Sequence, residues 1–235
     1  ISCGVDLGRF KPDPGIDRQA YCRRFGLDAD KTLFLFVGRV DGEKRLDLLI
    51  SSLKLLDRND LQLVVAGKGA ALPDLQKQAA ALNLEDQVRF TGFVPAEDLP
   101  GLLNSVDVFA MPSEAELLSI ATLEAMACGR PVLAARARAL PELVSEGVNG
   151  LLFNPGDVAD AARAMTELAA QRGRWKQMGS ASLRKVQVHS LENTLRSYYE
   201  LYEKVLAEEE APVLARGSRA ARQKAKAFAK TWPSR

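Results

Sequence analysis

Glu116 and Glu124 stand with seven residues between them in a segment that is largely small or apolar, Met111 to Val132, MPSEAELLSIATLEAMACGRPV. On one helix, eight steps give about 12 Å of rise and a net rotation of about 80°, so the two acids would look toward one side. That span is too long for two carboxylates flanking a single scissile bond, which sit under about 10 Å apart. It suits two carboxylates that hold opposite ends of one extended ligand. A helix N-terminus at Leu118, Ser119 and Ile120 lies between them, where free amides and the helix dipole favour an anion such as a diphosphate. Hydroxyl groups at both ends and an anion in the middle describe a nucleotide-sugar.

Two cations complete the arrangement. Thr32 to Val37, TLFLFV, is a continuous apolar run bounded by Gly38, as expected of a parallel strand buried on both faces. Arg39 and Lys44 follow it directly, at the carboxyl end where α/β sheets place their ligands. Arg acts there as a planar fork and Lys as a point charge, both suited to a diphosphate. The plainer reading of each is a solvated surface cation. A second run, Leu61 to Ala66, ends in Gly67-Lys68-Gly69, a tight turn that lets backbone approach a ligand. It fails as a dinucleotide fingerprint, because Leu72 occupies the place of the third glycine.

The elements that must position these residues alternate along the chain. Val106 to Met111 reads as a buried strand, Pro112 and Ser113 break it, a loop carries the acids Glu114 and Glu116, and a helix is expected to run on to Cys128. Gly129 stops that helix, and Pro131 leads into the strand Val132 to Ala135. Val88 to Gly92 and Asn149 to Phe153 read as further strands. Helices are expected at Gly15–Asp30 (with Tyr21 and Phe25 on one face), on to Leu56, at Ala71–Leu82, at Pro95–Ser105, from Leu140, up to Gln171, at Trp175–Lys185 and at Leu191–Leu206. Leu195, Tyr198, Tyr199, Tyr202 and Leu206 share one face of the last. At least five strands alternating with helices predict an α/β fold, a parallel sheet with helices on both faces.

Composition narrows the classes. The chain has 235 residues, 47% hydrophobic and 26% charged, which is ordinary for a globular protein with a substantial core. No apolar run approaches the roughly 20 residues that span a bilayer. The start, Ile1-Ser2-Cys3-Gly4-Val5-Asp6, has neither the basic nor the apolar region of a signal peptide and reads as cut from a longer polypeptide. Cys3, Cys22 and Cys128 form no CxxC pair, which points to a reducing, cytoplasmic setting. With His189 the only histidine, a His dyad or a His-rich metal site is not expected. Asp28-Ala29-Asp30 reads as a solvated turn rather than a metal-binding triplet, for want of neighbouring ligands, so no metal and no cofactor are expected. The net charge of +2 hides a tail: from Arg216 onward there are seven basic residues and no acidic ones, leaving about −5 for the rest. Residues 207–235 therefore read as a flexible or partly helical charged tail. Contact with anionic lipid on the cytoplasmic face is a second reading of its basic and aromatic residues. No motif supports a nucleic-acid partner.

Glu116-x7-Glu124 followed by AMACGRPV resembles the E-x7-E signature of retaining glycosyltransferases of the GT-B fold, glycosyltransferase family 4 or glycosyl transferases group 1. That family includes phosphatidylinositol mannosyltransferases and bacterial glycolipid synthases. The segment ISCGVDLGRFKPDP resembles the family's NGVD-x-x-x-F-x-P lead-in, with Cys3 in place of Asn. Gly38-Arg39 to Glu43-Lys44 resembles GR-x-x-x-EK, Gly67-Lys68-Gly69 the G-x-G turn, Gly92-Phe93-Val94 the G-x-V segment, and Leu140-Pro141-Glu142 the PE segment near the donor sugar. Leu117-Leu118-Ser119 departs from the Gly-rich turn usual after the first Glu.

The resemblance implies a Rossmann-like donor-binding domain at 1–206, the C-terminal half of a GT-B enzyme. Glu116 would contact the donor sugar, Glu124 the ribose, Arg39 and Lys44 the phosphates, and the Val94 backbone the base. Gly38, Gly67 and the amides of Leu118, Ser119 and Ile120 would line the diphosphate. The implied reaction moves a hexose from a nucleoside-diphosphate sugar to a glycan or glycolipid with retention, and needs an N-terminal acceptor-binding domain as partner. A GT-B epimerase or glycan synthase, and a nucleotide-binding module without chemistry of its own, are the alternatives.

Overall fold

A computed structural model describes residues 3–208. In chain order the elements are α1 (Arg18–Phe25), β1 (Thr32–Val37), α2 (Leu46–Leu56), β2 (Leu61–Ala66), α3 (Leu72–Ala81), β3 (Val88–Gly92), α4 (Leu99–Ser105), β4 (Val108–Met111), α5 (Ile120–Ala127), β5 (Val132–Ala135), α6 (Leu140–Leu143), β6 (Gly150–Phe153), α7 (Val158–Ala170), α8 (Trp175–Val186) and α9 (Leu191–Glu208). The six strands form one parallel sheet in the order β3-β2-β1-β4-β5-β6. This is the α/β, Rossmann-like architecture expected.

Continuous apolar strands need cover on both faces, and the structure supplies it. Every residue of β2, β4, β5 and β6 is buried, as is all of β1 but its last residue. Among the helices, α2 packs on α7, α5 on α8 and α1 on α4. Tyr21 and Phe25 stack on α1, ring centroids 6.3 Å apart. Asp157 caps α7 by accepting from the Asp160 amide at 2.9 Å. At the amino end of the sheet, Asp107 accepts twice from Arg18 and once from the Leu33 amide, each at 2.9 Å, which ties β1 to the start of β4.

The strand order is what places the site. Strand β1 lies between β2 and β4, so the sheet reverses its winding direction beside β1. Phe34 and Leu35 of β1 pair with Val108 and Phe109 of β4, and the chain leaves both strands at the same end of the sheet. A crevice opens at such a switch point because the two exit loops turn to opposite faces.

Several expectations are corrected at element ends. The loop that carries Glu114 and Glu116 leads into α5 at Ile120, within the helix start expected at 118–120, and α5 ends at Ala127, one residue short of Cys128. The first helix covers only Arg18–Phe25 of the expected 15–30. The last runs to Glu208, two residues past the expected domain end, and most of its apolar face is uncovered: Leu195, Tyr198 and Tyr202 are exposed. All but the first two residues of the expected charged tail lie outside the described residues. No helix among the described residues is long and apolar enough to cross a membrane.

Candidate functional site

The loop leaving β1 is set by its neighbours' backbone. Gly38 donates to Ala66 O at 3.0 Å, Val40 to Lys68 O at 2.9 Å, and Gly67 to Gly92 O at 2.8 Å, so the exits of β1, β2 and β3 are sewn side by side. A Cβ on Gly67 would lie 1.8 Å from Gly38 O, and one on Gly69 2.3 Å from Val40 O. The close approach that the G-x-G turn permits is therefore, in this structure, the approach of the β1 exit loop. A 3-10 turn, Gly42–Lys44, follows and delivers Lys44 to the crevice.

The loop leaving β4 reaches the same place from the other side of the switch point. Ser113 Oγ donates to Glu43 O at 3.3 Å and the Glu114 amide to the same oxygen at 3.4 Å. Lys44 Nζ then meets Glu116 Oε1 at 2.6 Å, with both side chains 13% exposed. Burial pulls the Lys44 ammonium down, but the hydrogen bond and charge of Glu116, joined by those of Glu43 at 3.3 Å, outweigh it and hold the ammonium above its ordinary value. Arg39 stands apart from this pair. It is 75% exposed and held by Asp41 at 2.8 Å and Glu43 at 3.4 Å.

Beyond Glu116 the chain enters α5 through Ser119. The Ser119 hydroxyl accepts from the Thr122 amide at 3.3 Å and from the Thr122 hydroxyl at 2.8 Å, a regular N-cap. The amides of Leu118, Ser119, Ile120 and Ala121 have no acceptor among the described residues, so the helix start offers free donors beside Glu116. Its surroundings are apolar and open: Leu117 is 85% and Ile120 47% exposed. Val94 is half-buried on the β3 exit loop, next to exposed Phe93.

Glu124 differs from Glu116 in every respect but its charge. It lies on α5 between the buried Leu123 and Ala125, and no hydrogen bond reaches its carboxylate among the described residues. Burial pushes its pKa up to about 7, against a smaller pull downward from Arg9. Because Glu116 is on the loop and Glu124 on the helix, the one-helix spacing expected for the pair does not apply. Their separation is set by how the β4 exit loop folds back onto Lys44.

Two further groups at the site carry little signal in the sequence. Arg9 in the lead-in donates to Ala96 O on the Val94 side, lies 4.9 Å over the Phe10 ring, and is the cation that acts on Glu124. Arg45 and Glu114 form an ion pair at 2.6 Å across the two exit loops. The only sequence mark of the second is an Arg directly after the Lys and an acid two residues before Glu116. Among the described residues no group of three or more His, Cys, Asp or Glu is arranged to hold a metal ion. Cys128, buried at the C-cap of α5 one turn beyond Glu124, has its thiol pushed up to about 12 by burial, as suits a packing residue. A concavity of about 780 Å³ between Asp6–Gly8 and α9 contains none of the expected site residues.

Comparison with known proteins shows the family and the fold. The sequence model of the family described as glycosyl transferases group 1 matches residues 17–185. A GDP-mannose-dependent alpha-(1-6)-phosphatidylinositol monomannoside mannosyltransferase of Mycolicibacterium smegmatis is 39% identical over 188 residues, 76% of this chain and 48% of the relative. A D-inositol 3-phosphate glycosyltransferase of Geodermatophilus obscurus is 38% identical over 180 residues, 72% of this chain and 39% of the relative. The crystal structure of Anabaena HepE in complex with UDP superposes with a TM-score of 0.78 at 25% identity, over 86% of this chain and 56% of that one. The chain thus spans about half the length, or less, of the curated relatives it matches.

Proposed function

The chain belongs to the glycosyl transferases group 1 family, and from that premise we propose that residues 1–206 are the donor-binding half of a hexosyltransferase, with 207–235 a separate charged tail. The reaction breaks the bond from the sugar's anomeric carbon to the donor diphosphate and forms one from that carbon to an acceptor hydroxyl oxygen, on the same face. The acceptor's proton leaves with the nucleoside diphosphate. The site's task is to stabilise the charge that grows on the departing diphosphate, and this is electrostatic work.

The observation that carries the reading is the meeting of Lys44 and Glu116 beside the free amides of α5, at the switch point of the sheet. A cation, open N–H donors and a carboxylate are the groups that a sugar diphosphate needs. Lys44 and the amides of Leu118, Ser119 and Ile120 take the diphosphate, with Arg39 closing over it from solvent. Gly38 and Gly67 let the β1 and β2 exit loops pack closely side by side next to it. Glu116 turns from Lys44 to the sugar hydroxyls. Glu124, half-buried and without a hydrogen-bond partner among the described residues, accepts from the ribose, and the Val94 backbone lies beside the base. The relative that uses GDP-mannose and the neighbour that holds UDP make GDP-mannose and UDP-glucose the donors to test first.

Acceptor recognition belongs to the remaining half of the enzyme. One sheet exposes its crevice to solvent, whereas transfer needs the acceptor oxygen within roughly 3–3.5 Å of the anomeric carbon with water excluded. The chain alone should bind donor and show negligible transfer to inositol phosphate, phosphatidylinositol mannoside or sugar acceptors. The same chain joined to an acceptor-binding half should turn over, and proton NMR of the product should show the donor's own anomeric configuration. Robust glycosylation by residues 1–235 alone would overturn the half-enzyme reading. An inverted product would overturn retention.

A further inference from the structure

Arg45 has φ +50° and ψ +38°, a left-handed conformation that side-chain-bearing residues rarely adopt. It comes directly after Lys44 and directly before α2. The side chain is not idle: Nη1 donates to Glu114 Oε1 at 2.6 Å, while Nε and Nη2 approach the two Asp47 oxygens at 3.3 and 3.4 Å. Arg45 and Glu114 are both about one-third exposed. From the left-handed turn this guanidinium reaches Glu114 across the crevice while its other face holds Asp47 in the first turn of α2.

The exit loops of β1 and β4 are therefore joined at two levels. The inner level is the Lys44–Glu116 pair, made of groups assigned to the donor. The outer level is Arg45–Glu114, together with the two bonds that Glu43 O accepts from Ser113 and Glu114. A diphosphate arriving at Lys44 competes with Glu116 for the ammonium and loosens the inner level. Within the outer level, the Arg45–Glu114 pair bonds no group assigned to the donor and can stay closed, whereas the Glu43 carboxylate pairs with Lys44 and Arg39.

We propose that Arg45 and Glu114 are positioning residues that hold the two exit loops together while the donor takes Lys44 from Glu116, so that both stay within reach of one sugar diphosphate. The inference rests on the donor assignments of Lys44 and Glu116. Two variants test it in the full chain. Arg45→Gly relieves the left-handed backbone and cuts the outer pair; Glu114→Gln keeps the shape and removes one charge. Amide hydrogen exchange over residues 114–119 should speed up in both, with the β1 and β4 strands still protected. The melting temperature of Arg45→Gly should stay level or rise. Affinity for GDP-mannose or UDP-glucose, whichever the wild type prefers, should fall about tenfold, the scale of one charge-assisted hydrogen bond. Affinity for the matching free diphosphate should change by less than about threefold, and Arg45→Lys should restore part of the loss. Unchanged exchange over 114–119 in both variants, with normal wild-type binding, overturns this inference alone. So does a parallel loss of melting temperature, diphosphate and sugar-donor affinity, which marks a purely structural pair. A wild-type chain that binds neither nucleotide nor nucleotide-sugar overturns the donor assignments and this inference with them.

Discussion

Glu124 is an acid placed where its charge is costly and its neutral form is comfortable. Its pKa moves from the usual 4.5 to about 7 through burial. The sign follows from linkage: the folded state favours the proton, so this group's contribution to stability is complete below pH 4.5 and is lost as pH rises toward 7. A tenfold change in proton affinity is worth about 1.36 kcal/mol, so the penalty at pH 8 has a ceiling of about 3 kcal/mol, which solvent at this half-buried site screens to less. Glu124→Gln should flatten the stability profile between pH 4.5 and 7 and raise stability at pH 8, as urea titrations across that range would show. An unchanged profile would mean that Glu124 is already ionised. Donor binding should show the opposite demand, because a carboxylate that accepts from ribose hydroxyls must be charged. Nucleotide affinity should rise with pH through about 7 and release a proton, detectable by calorimetry in buffers of different ionisation enthalpy.

Glu116 carries the opposite lesson, since its charge is already engaged by Lys44. Glu116→Gln frees the ammonium for phosphate. It should improve affinity for free GDP or UDP by a few-fold, about 1 kcal/mol for one partly exposed ion pair, while weakening the intact sugar donor. Equal losses for both ligands would contradict the division of roles. The pairing itself is not legible along the chain. Lys44 and Glu116 lie 72 residues apart and meet only because β1 is seated beside β4. Which strands become neighbours depends on tertiary packing that local residue patterns do not encode.

At the scale of elements, the strands are legible in the sequence and the loops are not. Runs such as Thr32–Val37 and Leu61–Ala66 are apolar throughout because both faces are covered, and that signal survives without any partner in view. The 114–119 segment reads as the loop that carries Glu114 and Glu116, but its path does not show in the sequence. Its contacts to Glu43, Arg45 and Lys44 hold it open until Ser119 provides the cap. The glycine-rich turn reads as room for a ligand, whereas the neighbour it admits here is another loop. That difference makes a paired prediction. Gly67→Ala places a Cβ 1.8 Å from Gly38 O, at φ +153°, and should destabilise by about 2–4 kcal/mol. Gly92→Ala meets nothing within 4 Å at φ +71° and should cost only the backbone strain, about 1–2 kcal/mol. Denaturation midpoints of the two variants check the ordering; equal midpoints would contradict the tight seam between the exit loops.

At the scale of the whole molecule, the sheet is a platform whose carboxyl edge gathers one cation pair, one helix start and two unlike carboxylates. Lys44, Glu116 and Arg39 are paired, but among the described residues several other groups lack their other side: open amides on α5, a half-buried Glu124 with no hydrogen-bond partner, exposed Leu117 and Ile120, and an uncovered apolar face on α9. A domain built to receive both a ligand and a second domain would carry these features. The most direct measurement is a calorimetric titration of residues 1–235 with GDP, UDP, guanosine and uridine, repeated for the Arg39→Ala/Lys44→Ala variant. The wild type should bind at least one diphosphate saturably, with its nucleoside much weaker. In the double variant the diphosphate should fall to the level of the nucleoside. A double variant that still prefers the diphosphate by a large factor, or a wild type that binds neither diphosphate, would contradict the assignment of this crevice as the donor site.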